Sequence, residues 1–162
     1  MSKTTSKKTN AVRIVESSGI PFELKEYPVT EEHQSAVDVA LAIGESPEHI
    51  YKTLLLTGDK IPFIVAVIPA EGSVDLKKIA KISGNKKCEM LPMKALLDTT
   101  GYVRGGCSPI GMKKQFPTYI EELSTLEEKI IVSAGKRGLQ IVLSPHDLIA
   151  IVSATVADII ES

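Results

Sequence analysis

The sequence predicts a mixed α/β domain built on a central sheet. Three observations lead there. Short helical segments stop at single glycines, apolar runs come in pairs separated by turn residues, and no regular strand–helix–strand repetition joins them. At 162 residues the chain is of single-domain size, and its 43% hydrophobic content is enough to build one buried core.

The elements can be justified in order. NAVRIVESS (10–18) carries Val12, Ile14 and Val15 on an incomplete apolar stripe and stops at Gly19, which reads as a helix with a glycine C-cap. FELKEY (22–27) alternates as a strand does and is ended by Pro28. Ser35 can cap a helix through AVDVALAI, closed by Gly44. IYKTLLL (50–56) and IPFIVAVI (61–68) flank Thr57-Gly58-Asp59-Lys60, a hairpin of two largely buried strands. Ser73 is the expected cap of VDLKKIAKIS, which ends at Gly84, and LPMKALLD supplies one or two more helical turns. KIIVSA (129–134) and LQIVL (139–143) form a second hairpin around Gly135-Lys136-Arg137-Gly138. Ser144-Pro145 then opens the last helix, with serine as N-cap and proline at the first helical position.

Composition narrows the classes. No apolar run approaches the roughly 20 residues of a membrane span. The start, MSKTTSKKTN, is basic and polar without the apolar stretch of a signal peptide, so residues 1–9 are expected to be a tail on a cytoplasmic domain of residues 10–162. Cys88 and Cys107 are too few for a disulfide scaffold or, by themselves, a zinc site. The net charge of −1 hides an asymmetry: residues 73–115 carry +6 and the remainder −7. Such a segment suits a phosphate-bearing partner, or else forms a solvated lysine face.

No motif announces a familiar chemistry. His33, His49 and His146 stand apart, without metal-ligand spacing; the first two read as surface residues and the third as a capping or surface residue. AGKRG lacks the upstream glycine and the following Ser or Thr of a phosphate loop. Cys107 and Ser108 have no histidine near in sequence to activate them, so a structural role is expected of both as isolated residues. Two features ask for more. Lys52 sits in the apolar run IYKTLLL, where an ammonium is costly unless it snorkels out or meets a pocket, an anion or a carboxylate. GYVRGGCSPIGMKKQFP (101–117) concentrates glycines and prolines, as a surface turn would, or as a loop whose amides grip a ligand.

Three stretches in order carry a resemblance covering nearly the whole domain: IYKTLLLTGDKIPFIVAVIPAEGSVDLKKIAKISGNKKCEM, TGYVRGGCSPIGMKKQFPTYIE and VSAGKRGLQIVL. They resemble the YbaK/EbsC family of Cys-tRNA(Pro) deacylases, related to the editing domain inserted in bacterial prolyl-tRNA synthetases. The resemblance implies a strongly curved, barrel-like mixed sheet surrounded by helices, with a pocket at one face. It implies that Lys52 of the Tyr-Lys-Thr motif is the central active-site residue. The loop Gly105-Gly106-Cys107-Ser108-Pro109 would complete the catalytic site through Gly105, Gly106, Ser108 and Pro109. Tyr27, Tyr51, Thr53, Gly101, Gly135 and Gln140 would contact the substrate, and Lys86, Lys87, Lys113, Lys114, Lys136 and Arg137 the tRNA. Family members often carry an acid where this chain has Gln140, which hydrogen-bonds but cannot take up a proton. The connection VTEEHQSA matches the family poorly.

The implied activity is trans-editing of Cys-tRNA(Pro), with prolyl-tRNA synthetase as a partner in a ternary complex and no metal, cofactor or membrane. The sequence offers no protein nucleophile, which suits an ester that carries its own thiol. Attack by water on another small aminoacyl ester is the variant reading, and a non-catalytic tRNA- or synthetase-binding module is the other.

Overall fold

The computed structural model describes residues 8–32 and 34–162; most of the expected tail and His33 lie outside the described residues. Helix α1 (Asn10–Ser18) is capped by the Thr9 hydroxyl, which accepts from the Val12 N–H, and buries Ala11, Val12 and Val15. Strand β1 (Glu23–Glu26) follows, then α2 (Ala36–Ile43), whose start is a reciprocal Ser35–Asp38 capping box.

Strands β2 (Tyr51–Gly58) and β3 (Phe63–Pro69) pair antiparallel, as expected. Their turn lies later than the sequence suggested. The Gly58 N–H bonds the Pro62 carbonyl, so Thr57 and Gly58 belong to the strand. The reversal is held from outside, by Asn85 Oδ1 accepting from the Lys60 and Ile61 N–H groups. Helix α3 (Leu76–Ser83) is capped by Asp75 rather than Ser73. The carboxylate satisfies the Lys77 and Lys78 N–H groups. Ser73 and Val74 are instead drawn out by Glu161, which donates to the Ser73 carbonyl, and by a Val74–Ile160 bridge.

Beyond it come β4 (Cys88–Met90), α4 (Leu96–Thr100), β5 (Thr118–Glu121), β6 (Ile130–Ser133), β7 (Leu139–Leu143), α5 (Pro145–Val152) and β8 (Thr155–Ala157). The second hairpin (β6–β7) and the Ser144-capped last helix stand where the sequence placed them. Strands β4, β5 and β8 were not legible in the sequence.

The described strands make two sheets, ordered β1-β7-β6 and β4-β2-β3-β5-β8. The first is antiparallel, whereas β5 joins β3 and β8 in parallel. The expected barrel-like sheet is therefore corrected: neither sheet closes. They meet at a single isolated bridge, Ile50–Ile131, whereas a barrel needs a continuous ladder. The reason lies in β2. One of its edges pairs with β3 throughout, but on the other edge β4 pairs only with Leu56–Gly58. The main core, including Val65, Val67, Ile120, Ile130 and Ile141, fills the space between the sheets, and a second cluster packs Leu56, Ile64 and Ile68 under Ile79 and Ala80 of α3.

Candidate active site

Where the sheets part, a cavity of about 680 Å³ opens, lined by residues 51–55 of β2. Tyr27 at the end of β1, Val39 of α2, Ser133 of β6, Gln140 of β7 and Gly105 of the glycine loop also line it. Antiparallel pairing alternates hydrogen-bonding direction along a strand. Since Gly58 bonds towards β3, Lys52 and Leu54 do too, and the backbone of Thr53 is turned towards the open edge. The Thr53 hydroxyl is buried there without a hydrogen-bond partner among the described residues.

Lys52 is half-buried at the cavity wall. Burial pulls its pKa below the ordinary lysine value. No carboxylate among the described residues pairs with it. An unpaired, partly desolvated ammonium is a strong attractor for a negative or polarised oxygen. Tyr51 beside it is held neutral, pushed up to about 12 by burial and then by Glu127 and Glu121. Burial likewise pushes the Cys107 thiol up to about 11, so at the cavity wall it is a neutral S–H and not a thiolate nucleophile.

The glycine loop is braced from behind. The Tyr102 hydroxyl donates to the Ile110 carbonyl at 2.6 Å and the Ser108 hydroxyl accepts from the Ile110 N–H at 3.2 Å. Asn10 of α1 donates to the Gly111 carbonyl. Positive φ falls on Gly105, at 84°, and not on Gly106. Gly106 is needed for proximity instead. A Cβ there would lie 2.9 Å from Lys136 Cα and 3.0 Å from the Arg137 nitrogen, so the loop rests directly on the β6–β7 turn. Gly106→Val is therefore expected to lift the loop off that turn, at about 1–3 kcal/mol of overpacking, and to abolish ligand binding in the cavity. Thermal melts and ligand titration of Gly106→Ala and Gly106→Val test this; wild-type binding by the valine variant would show that the contact does not hold the site.

Of the residues singled out in the sequence, the structure gathers Tyr27, Tyr51, Lys52, Thr53, Gly105, Arg137 and Gln140 around one cavity. Gly106, Ser108 and Pro109 lie buried behind its wall, where Ser108 shapes the loop and presents no hydroxyl to the cavity. Gly101 ends α4 with the stem of Lys113 against it, and Gly135 sits against the Tyr102 ring. Lys114 and Lys136 are exposed outside the lining. Lys86 and Lys87 are elsewhere: their N–H groups bond Asp59 beyond the far end of β2, roughly 20 Å from Lys52 at the usual strand rise. His49 is not the free surface histidine expected, since it is half-buried and 3.1 Å from Glu127, while His146 is exposed.

Sequence reasoning missed several lining residues. Arg104 and Cys107 lay inside the motif but were not assigned to the site, and Met90 and Met93 had no signal beyond being apolar. Glu31, Glu32 and Gln34 come from the connection that resembles the family poorly, yet they form one lip of the cavity. The Arg137 guanidinium ties that lip down by donating to the Thr30 carbonyl at 3.0 Å.

Fold and cavity together define an α+β domain with a cavity of ligand size where two open sheets part. The sequence matches the family model of the aminoacyl-tRNA editing domain over residues 30–151. It is 52% identical over 157 residues, 97% of this chain and 96% of the other, to EbsC of Enterococcus faecalis (strain ATCC 700802 / V583). That protein is provisionally named a Cys-tRNA(Pro)/Cys-tRNA(Cys) deacylase. A solved structure provisionally described as a trans-editing enzyme for prolyl tRNA synthetase superposes with a TM-score of 0.83 at 23% identity, covering 96% of this chain and 99% of that one. The hypothetical protein APE2540 gives 0.84 at 19% identity, covering 94% and 100%. This chain belongs to the aminoacyl-tRNA editing domain family. Among the described residues, no helix is long and apolar enough to cross a membrane.

Proposed function

We propose that residues 10–162 form one trans-acting deacylase domain that removes cysteine from mischarged Cys-tRNA(Pro) in the cytoplasm. The observation that carries the reading is Lys52, an unpaired and partly desolvated ammonium in a cavity whose wall carries no activated protein nucleophile among the described residues. The 52% identity to EbsC supports the substrate. At about 680 Å³ the cavity has the size of sites that enclose whole small-molecule ligands, so it has room for a terminal nucleoside as well as a small aminoacyl group.

In this reading Lys52 and the open backbone edge at Thr53 hold the ester, with Lys52 polarising its carbonyl oxygen. Tyr27, Tyr51 and Gln140 bound the aminoacyl group. Gly105 lets the loop approach closely, while Gly106, Ser108 and Pro109, with Gly101 and Gly135, fix its shape. Arg137, Lys136, Lys113 and Lys114 face the acceptor strand, and Lys86 and Lys87 extend the basic surface at a distance. The substrate thiol attacks its own carbonyl: the S–C bond forms, the ester C–O bond breaks, and the thiol proton ends on the departing ribose oxygen. Holding thiol, carbonyl and ribose in reactive geometry can supply about 7–11 kcal/mol. Prolyl-tRNA synthetase is the proposed source of tRNA selectivity. Incubating the protein with Cys-tRNA(Pro) and following loss of the ester tests the reading; no turnover at micromolar protein would favour a binding module.

A further inference from the structure

The cavity has two kinds of rim. One is polar and belongs to the first sheet: Arg137 of the β6–β7 turn donates to the Thr30 carbonyl beside Glu31, and Gly105 beside Arg104 packs on the Arg137 side chain. The other continues β4 along the second sheet and is apolar, made by Met90, Leu91, Met93 and Leu96. The Leu91 N–H bonds the Leu55 carbonyl, which fixes this stretch against β2. Met90 stands opposite Leu56, and side chains two apart share a face, so it lies on the face of β2 that carries Leu54 and Lys52. From Lys52 to Leu56 is about 13 Å of strand. Met90 and Met93 are nevertheless 46% and 55% exposed, two large apolar side chains left uncovered at the mouth of a cavity. The charges around them are cationic. Glu89 before the stretch is paired with Lys87 at 3.1 Å, Lys94 within it is exposed, and Lys113 Nζ lies 3.5 Å from the Asp98 carbonyl of α4.

We propose that Met90 and Met93 form a platform for the unpaired 3′ nucleotides of the tRNA, with base faces on the thioethers and phosphates towards Lys94 and Lys113. This rests on the deacylase reading above. With the ester held at Lys52, Met90 is too distant for a small aminoacyl group, but the nucleotides that precede the terminal one have to leave across the mouth. Single-stranded RNA is gripped by laying its bases on apolar side chains beside a cationic track, and the usual side chains are aromatic. Here no Phe or Tyr is exposed among the described residues and the chain has no Trp. A flexible, polarisable thioether makes the same kind of contact with an aromatic ring. The apolar strip continues the cavity and is flanked by lysines, which favours RNA over a protein partner as its occupant.

The test uses an uncharged hairpin of the tRNA(Pro) acceptor stem with its unpaired 3′ end, and the same hairpin made abasic at the two positions before the terminal adenosine. The abasic RNA keeps every phosphate and loses two base faces. Wild-type protein is expected to bind the intact hairpin about tenfold more tightly, and Met90→Ser/Met93→Ser to bind both alike, at the level of wild type with the abasic RNA. The slope of log affinity against log salt should be the same in the variant, because no phosphate contact is lost. Equal binding of the two RNAs by wild type would overturn the platform and leave the strip to a protein partner. A preference for the intact hairpin that survives in the double variant would overturn it too, as would an equal further weakening of both RNAs. Since the hairpin is uncharged, the result is independent of turnover: a protein that shows the preference but cannot cleave Cys-tRNA(Pro) would count against the deacylase reading alone.

Discussion

Lys52→Ala is expected to lower single-turnover deacylation of Cys-tRNA(Pro) by about 10²–10³-fold, the usual cost of removing one preorganised charge-stabilising donor. The expectation comes from the ammonium's surroundings: the wall of the cavity partly desolvates it, and no carboxylate among the described residues pairs with it. The same feature predicts the effect on stability. A lysine held below its ordinary pKa costs stability while charged; the cost is full below the folded-state value, shrinks as the pH rises past it and is gone above the ordinary lysine value. Lys52→Met, which keeps the apolar stem, should therefore melt no lower than wild type at neutral pH while being as inactive as the alanine variant. Rates near wild type in either variant would remove Lys52 from the chemistry. A large fall in melting temperature for the methionine variant would show that the ammonium has a structural partner instead.

The second large effect lies in the substrate. If its thiol is the nucleophile, Ser-tRNA(Pro) and Ala-tRNA(Pro) should react far more slowly than Cys-tRNA(Pro), even when all three are bound. The side chains are close in size, and a pocket that discriminates by volume separates such neighbours by only about 10–200-fold. A gap beyond that needs a chemical cause. The pH profile supplies an independent sign. The Cys-tRNA(Pro) rate should rise towards the thiol pKa of ~8.5, then fall as Lys52 loses its proton below the ordinary lysine range near ~10.4. Comparable single-turnover rates for the three esters would mean that water attacks and that the cavity only activates the carbonyl.

Much of the fold could be read in the sequence because its signals are local. Ser35 and Ser144 cap their own helices, and the β6–β7 hairpin carries its turn residues with it. What could not be read depends on distant partners. TYIE becomes a strand because β3 and β8 lie on either side of it, and TVA because β5 pairs along its one covered edge. The cap at Asp75 prevails over Ser73 because Glu161, far along the chain, takes the Ser73 carbonyl. The site divides in the same way. Lys52 was legible as a charge misplaced in an apolar strand, and the glycine loop as a density of backbone-shaping residues. Glu31 and Glu32 were not, since two acids in a polar connection look like any solvated loop until Arg137 is seen holding that loop over the cavity.

The bracing of the glycine loop also bears on the order of assembly during synthesis. Asn10 reaches the Gly111 carbonyl across 101 positions, and Thr9 reaches the Ala134 carbonyl across 125. The first helix thus leaves the ribosome more than 100 residues ahead of the segments it must grip. Contacts of such sequence separation close late, because the chain between them has to be ordered first. A nascent chain halted before residue 134 can already hold the β2–β3 hairpin with Lys52 in place, yet it lacks the turn on which Gly106 rests. Competence to grip a substrate would then arrive only once the β6–β7 turn has been made, long after Lys52.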